Sequence, residues 1–420
     1  LLLAGAALPA SVSALGQCVT DTPAVDACLG GVRVTGPPGK TLDLNFMAPG
    51  NMPGGITFTR ASTATYTDAS GTIQTAAINA PRWDYDPVTH ALRGVLIEEP
   101  RTNLALWNRD FTNAAWGLYG NVAAAPVVTA NQATAPDGTL TATRVVLPAV
   151  SGAGSASVIY QPFTATAAIY TYSIWLRGAV GGEQVYLGGG GVSFISAPRL
   201  TLTTQWQRFI FITPTLTAAS WTMSFCVDLR DPAQTGTPVQ TIYAWGAQVE
   251  LGAFATSSIP TAASAVTRAQ DIMTMPLAAW YSGTAGTLMV DAMLPANGNN
   301  GFRGIFSLDG GITNTWIRAY TFNASANVNG NVNAANLTFG VMTPDVPFKI
   351  AATYAAGGTT VAFNGVMGTG TASVSTPASY TTLRLGVADA GPANPANGYL
   401  RAARYWPRVL STSEMQSVTA

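Results

Sequence analysis

Charge is scarce in this chain of 420 residues, which has 20 acidic and 20 basic side chains. Nine of them nevertheless crowd into residues 56–104: Arg60, Asp68, Arg82, Asp84, Asp86, Arg93, Glu98, Glu99 and Arg101. Between them lie strand-like apolar residues and turn pairs such as Ser70-Gly71, Ala80-Pro81 and Asp86-Pro87. A charge among strands must pair or face solvent, because an unpaired buried charge is expensive. The pattern predicts arginine–carboxylate clamps that hold a compact β unit together. Their expected members are Arg60, Arg82, Asp84, Asp86, Glu98 and Arg101. Arginine suits the task because its planar fork grips a carboxylate with two N–H groups.

The remainder of the chain reads as strands. Segments such as SASVIYQPF, IYTYSIWLRG and TIYAWGAQVEL, then TLMVDAML, FKIAATYA and GYLRAARYWP, are rich in aromatic and β-branched residues. Hydrophobic residues make up 48% of the chain, enough for sizeable cores, and 43 glycines and 26 prolines supply turns. That profile fits β-sandwiches better than helical bundles. Net charge is zero, so a broad basic surface for nucleic acid is not indicated. Lys40 and Lys349 are the only lysines, a skew that reads as coding bias. Within TLDLNF, alternation places Leu42, Leu44 and Phe46 on one face. Turns flank that strand, so it reads as part of a neck.

Three resemblances carry the domain reading. The order Phe58-x-Arg60-x-Ser62-x-Ala64-Thr65-Tyr66-x-Asp68-x-x-Gly71, then Asn79-x-Pro81-Arg82-x-Asp84-Tyr85-Asp86, then Gly94-x-Leu96-Ile97-Glu98-x-x-Arg101-Thr102-Asn103-Leu104, resembles a segment of tailed-phage structural proteins. These include tail fibres, receptor-binding proteins, head-spike fibres and the spikes of gene transfer agents. The resemblance implies a structural module without a catalytic role. The runs Trp206-Gln207-Arg208-Phe209, Trp245 to Glu250 and Ser258 to Arg268 resemble jelly-roll carbohydrate-binding modules. The runs Phe348 to Tyr354, Ala362 to Gly365, Leu383 to Gly386 and Gly398 to Arg401, with the ending Tyr405-Trp406-Pro407-Arg408-Val409-Leu410-Ser411-x-x-Glu414, resemble concanavalin- and laminin-G-like domains. Ser411 and Glu414 have the spacing of a capping box, which satisfies free N–H groups at a helix start.

The expected fold is all-β, with tandem antiparallel β-sandwiches, jelly-roll and laminin-G-like, after a small β motif and an extended N-terminal arm. Expected boundaries are 1–44 for arm and neck, 45–104 for the charge-rich motif, 105–270 for the first sandwich and 271–420 for the second. Residues 1–17 read as an ordered apolar arm buried against a partner, with a retained leader as the alternative. Cys18 and Cys28 have the separation to close a short loop, and Cys226, in an apolar strand, reads as an inert core thiol.

Catalytic signatures are sparse. His90 is the only histidine, so a Ser–His–Asp or Cys–His machine is not expected. Gly188 to Gly191 lack a following Lys-Ser/Thr and read as a hairpin turn or bulge, not a phosphate loop. Asp84 with Asp86, and Glu98 with Glu99, are the pairs to test as glycosidase acids. Arg82 and Arg101 beside them favour the ionised form, which suits structure over general-acid work. No cofactor is expected. Ca²⁺ at Asp309 and Asp291, as some laminin-G-like domains hold it, is the secondary reading. Sugar recognition needs an exposed aromatic platform. The candidates are Trp107, Trp116 and Tyr119 at the entry of the first sandwich, and Trp316 and Tyr320 in the second.

The resemblances imply a virion appendage, a fibre or spike on the virion surface that is assembled in the host cytoplasm. It attaches by its N-terminal arm to a capsid, portal-proximal or tail protein. It forms a homo-oligomer, taken as a trimer, and presents lectin-like domains to host-surface polysaccharide, without nucleic acid or membrane insertion. The alternatives are a polysaccharide depolymerase, a secreted bacterial adhesin and a purely structural decoration protein.

Overall fold

Antiparallel strands close two sandwiches; short strands such as Leu42–Asn45 alternate buried and exposed residues, while the long central ones, such as Tyr170–Gly178 and Phe302–Asp309, are buried on both faces. The computed structural model describes residues 37–296, 302–310, 316–322, 325–332, 335–356, 358–369, 380–387 and 394–420, with the backbone of Cys18–Val19 and Ala27–Cys28. Those two short strands pair with Cys18 opposite Cys28. The apolar arm, the leader alternative and the thiols of Cys18 and Cys28 lie outside the described residues.

The first sandwich lies wholly within residues 117–251. One sheet orders Gly117–Asn121, Ala156–Ala165, Ala219–Asp228, Gln184–Gly190 and Phe194–Ser196 side by side, with Leu200–Thr201 also on Gln184–Gly190. The facing sheet orders Val127–Ala133, Ala142–Leu147, Gln240–Leu251, Tyr170–Gly178 and Gln207–Ile212. Between them Val145, Ile159, Tyr172, Ile174, Leu187, Phe225, Ile242 and Val249 form the core. Gly246, at φ 65°, sits where the pairing of Gln240–Leu251 with Tyr170–Gly178 shifts register. That backbone region is open to glycine at no steric cost. As expected of an inert thiol, Cys226 is free and buried, and burial pushes its pKa up.

The second sandwich gathers strands from both ends of the chain. Its seven-stranded sheet runs Ala335–Val341, Asn327–Val332, Trp316–Phe322, Phe302–Asp309, Thr382–Leu385, Ile272–Pro276 and Thr57–Thr59. Its eight-stranded sheet runs Val366–Met367, Val361–Phe363, Phe348–Tyr354, Gly286–Met293, Gly398–Trp406, Leu92–Ile97 and Trp83–Tyr85, and Leu42–Asn45 also pairs with Gly398–Trp406. The expected boundaries are therefore redrawn. The neck strand is part of this sandwich, because Leu42, Leu44 and Phe46 bury in its core beside Val95, Ile305, Leu385 and Tyr405. The charge-rich stretch is divided: Thr57–Thr59 joins one sheet, Trp83–Tyr85 and Leu92–Ile97 join the other, and only Ala64–Thr67 and Ile73–Ala76 form a two-stranded sheet of their own.

The sandwiches are thus not consecutive; the first is an insert in the second. The chain leaves along Arg101–Asn103 and returns along Val266–Arg268, and these two strands pair side by side. At the C-terminus, helix Thr412–Thr419 carries the expected capping box, with Ser411 as its N-cap and Glu414 reaching back. Its Met415 and Val418 pack with Met289, Ala351 and Trp406.

Candidate functional site

The clustered charges find their partners at the neck of the insert. Arg60 donates from Nη1 to Asp271 Oδ1 at 2.9 Å, from Nε to the Ser62 carbonyl and from Nη2 to the Ala77 carbonyl. Arg82 donates from Nη1 to Glu98 Oε2 at 2.7 Å and to Ser257 Oγ at 2.9 Å, and from Nη2 to Asp271 Oδ2. Glu98 also accepts from the Ser257 N–H and hydroxyl, and Arg268 Nε approaches it at 3.5 Å. All five charged residues are buried. Burial alone raises the Glu98 carboxyl, but Arg268 and Arg82 outweigh it and hold the pKa down to about 2. Burial likewise pulls the Arg82 guanidinium down, and Asp271 and Glu98 more than reverse this.

The clamps therefore differ in membership and reach from the sequence expectation. Arg60, Arg82 and Glu98 belong to the buried cluster. Asp84 has no ion pair among the described residues; it accepts from the Thr67 N–H and the Tyr399 hydroxyl, and burial raises its pKa. Asp86 pairs with Arg93 at a half-buried site. Arg101 bonds Glu99 and the Leu251 carbonyl, and lies 4.3 Å from the Phe254 ring. The sequence reading missed Asp271 and Arg268, which lie beyond the insert. The signal was two charges at the end of the exit strand, Val266–Arg268: Arg268 is its last residue and Asp271 follows three positions on. The cluster welds the segment before the insert to the segment after it, with Ser257 of the insert hydrogen-bonded to Glu98 and Arg82, and is not a brace within one small unit.

Beside this weld a cleft of about 730 Å³ separates the sandwiches, lined by Asp84, Glu98, Trp175, Arg208, Arg303 and Tyr399 among others. His90 stands away from it, exposed in the turn after Asp86 at φ 59°.

Two expected sugar-binding aromatics, Trp116 and Trp107, are engaged in the core. Trp116 is 3% exposed, wedged against Phe111 and Phe225, so it is core and no platform. Trp107 packs on the same core, and its carbonyl accepts the Trp116 indole N–H. Tyr119 is half-buried, with the Arg230 guanidinium 4.4 Å from its ring centroid. The side chain of Trp316 lies outside the described residues.

Tyr320 has a different setting. Along Trp316–Phe322, Ile317 and Ala319 enter the core, while Arg318 and Tyr320 are half-buried and Phe322 is 39% exposed. Phe302 pairs across from Phe322, and its ring centroid lies 4.9 Å from that of Tyr320 and 4.5 Å from that of Phe322. Arg318 stands 5.1 Å from the Tyr320 ring centroid and donates to Asn331 Oδ1, whose amide in turn donates to Asn336. Three aromatic rings, a guanidinium and a row of amides thus share the outer face of the seven-stranded sheet. Strand alternation at Phe302 and Phe322 is the signal that would have found them.

The carboxylates considered for Ca²⁺ are each engaged by arginine, Asp309 by Arg384 and Asp291 by Arg401. Among the described residues no group of three or more metal-ligating side chains converges, and no helix is long and apolar enough to cross a membrane.

No family model matches the chain, and no curated protein matches it. Among solved structures, part of it is similar to the CBM40 of Ruminococcus gnavus IT-sialidase bound to alpha2,3 sialyllactose, at 16% identity over 33% of this chain and 84% of that one, with a TM-score of 0.29. Part is similar to Trypanosoma rangeli sialidase, at 12% identity over 35% of this chain and 25% of that one, with a TM-score of 0.30. Part is similar to a SAP-like pentraxin from Limulus polyphemus, at 16% identity over 32% of this chain and 70% of that one, with a TM-score of 0.26.

Proposed function

We propose that the protein is a non-enzymatic, glycan-binding appendage of a tailed-virus particle, held to the particle by its N-terminal region and working as a homo-oligomer. The observation that carries the glycan reading is the outer face of the seven-stranded sheet. Phe302, Tyr320 and Phe322 offer apolar ring surface next to the donors and acceptors of Arg318, Asn331 and Asn336. A sugar presents the matching pair of surfaces, C–H faces for the rings and hydroxyls for the amides. Such an open face holds a saccharide weakly, and several copies on one stalk raise the effective concentration of each further contact.

The test is adsorption to host cells by particles carrying Tyr320→Ala or Phe322→Ala. Neither side chain is fully buried, so the fold is expected to persist while adsorption falls about tenfold, a loss of about 1.4 kcal/mol. Unchanged adsorption, or adsorption indifferent to stripping of the surface polysaccharide, overturns the reading.

One observation favours a second reading, a depolymerase. Asp84, raised by burial, and Glu98, held low, line the same cleft, and divergent carboxylates are what acid–base pairs require. Both are already committed to donors within the chain. Reducing ends released from host capsule by the wild-type chain but not by Asp84→Asn would establish the enzyme.

A further inference from the structure

Much of the outer face of the insert's five-stranded sheet is covered. Ile73 packs with Trp175 and Trp245, and the segment at 256–259 closes over Gln248 and Glu250 through hydrogen bonds from Thr256 and Ile259. One row further along, the strands are open. Their registers set Thr129 opposite Arg144, Arg144 opposite Tyr243, and Tyr243 opposite Arg177. Trp206 borders that row, just before Gln207, the partner of Leu176. Thr129 is exposed, and Arg144, Tyr243, Arg177 and Trp206 are half-buried.

The Arg177 guanidinium lies 4.7 Å from the Tyr243 ring centroid and 5.3 Å from that of Trp206, and its Nε has no hydrogen-bond partner. Neither Arg144 nor Arg177 is ion-paired among the described residues, whereas Arg109, Arg230 and Arg404 each meet a carboxylate. Arg199, Arg208 and Arg303 also lack an ion pair but spend their guanidinium N–H groups on hydrogen bonds within the chain, which Arg144 and Arg177 do not do among the described residues. Contact with ring faces holds a guanidinium in place without consuming the N–H fork that grips paired anionic oxygens.

We propose that this row binds an acidic polysaccharide, a chain bearing carboxylate or sulfate groups, laid across the strands. Acidic groups seat on Arg144 and Arg177, and the intervening sugar rests on Tyr243 with Trp206 at the end of the row. Neighbouring strands lie roughly 4.8 Å apart, so the two arginines, which flank the strand of Tyr243, stand about 10 Å apart across the sheet. That separation suits acidic groups on alternate sugars of an extended chain. A nucleic acid would call for a broader basic surface than this chain of zero net charge supplies. The site is separate from the face at Tyr320, and the proposal stands or falls without it.

Affinity electrophoresis of the full chain against polygalacturonate, dextran sulfate and neutral dextran provides the test. Retardation is expected in at least one acidic polymer, weakening with added salt, and none in neutral dextran. The polymer that retards more identifies carboxylate or sulfate as the preferred group. Arg144→Gln and Arg177→Gln should each weaken binding about tenfold or more, while Tyr320→Ala should leave it unchanged. Arg144 is half-buried and free of ion pairs, so its variant keeps the thermal midpoint and decides the matter even if Arg177→Gln is destabilised. Equal retardation in neutral dextran, no retardation in either acidic polymer, full binding by Arg144→Gln, or tighter binding to a single-stranded oligonucleotide would each overturn the proposal.

Discussion

Arg60 and Asp271 meet at 2.9 Å with both side chains sequestered from solvent, though 211 positions separate them in the chain. The same Asp271 also takes Arg82 and the backbone N–H of Glu98. One carboxylate therefore holds the segment before the insert to the segment after it. Asp271→Ala strands buried guanidinium charge, and loss of about 3–5 kcal/mol of stability is expected. Chemical denaturation of the full chain checks it, and a midpoint equal to wild type would refute the weld.

Acid should expose the same cluster. The folded pKa of Glu98 is about 2 against an ordinary value of 4.5. A depressed carboxylate contributes stability that is complete above its unfolded pKa and is lost as pH falls through the folded one. Roughly 3 kcal/mol should therefore fade between about pH 4.5 and about pH 2. Asp84 has the opposite sign: burial raises its pKa, so its protonation on acidification favours the fold. Thermal scans across that window should show a steep acid limb in the wild type and a shallower one in Glu98→Gln.

The glycine run at 188–191 makes a packing prediction. Gly188, Gly189 and Gly190 pair with Ser196, Ile195 and Phe194, and a Cβ on Gly189 would be driven into the Thr222 carbonyl oxygen of the neighbouring strand. Gly189→Ala should cost about 1–3 kcal/mol through overpacking. Gly152, with nothing near its missing Cβ but a φ of 83°, is the control for backbone strain alone. A thermal midpoint for Gly189→Ala at or above wild type would show that the sheet relaxes around the methyl.

The C-terminal cap offers a smaller, separable effect. Ser411 accepts from the Glu414 N–H, and Glu414 accepts from the Ser411 N–H while Arg408 grips its carboxylate. Ser411→Ala should cost about 1 kcal/mol. Hydrogen exchange in helix Thr412–Thr419 should quicken while the strands of the insert keep their protection.

Asn103 and Val266 are cross-strand partners at the neck, so a two-residue Gly-Ser turn can replace residues 104–265. The shortened chain should keep the second sandwich folded but less stable, since Glu98 loses Ser257 and Thr65 loses the Ser258 carbonyl. By contrast, a fragment beginning at residue 271 removes Leu42–Asn45, Thr57–Thr59, Trp83–Tyr85 and Leu92–Ile97 from its sheets and should not fold. Near-ultraviolet circular dichroism of both fragments decides this; a folded 271–420 fragment would contradict the shared sheets.

What could be read from sequence tracks how local the cause is. The all-β fold and the cap at Ser411 follow from residues within one strand or one turn. Arg82 and Glu98 were legible because charge is dense around them. Asp271 was not, because only the return of the chain from a long insert brings it near. The alternation of Leu42, Leu44 and Phe46 was legible as a strand, but its partner, Gly398–Trp406, lies at the far end of the chain. Side-by-side placement of Arg144, Tyr243 and Arg177 depends on two ladder registers at once. Composition therefore overweighted tryptophans such as Trp116, whose ring the core needed.

The paired strands Arg101–Asn103 and Val266–Arg268 have a mechanical meaning. A domain hung on one linker transmits tension but swivels under torque. This insert stands on two legs bonded to each other, with Arg101 and Arg268 anchored to Glu99 and Glu98 at their base. Shear or twist applied to the insert is carried through both legs into the second sandwich, and its bearing relative to that sandwich resists rotation. In the appendage role proposed above, a mount of this kind would keep a weak contact aimed while it forms.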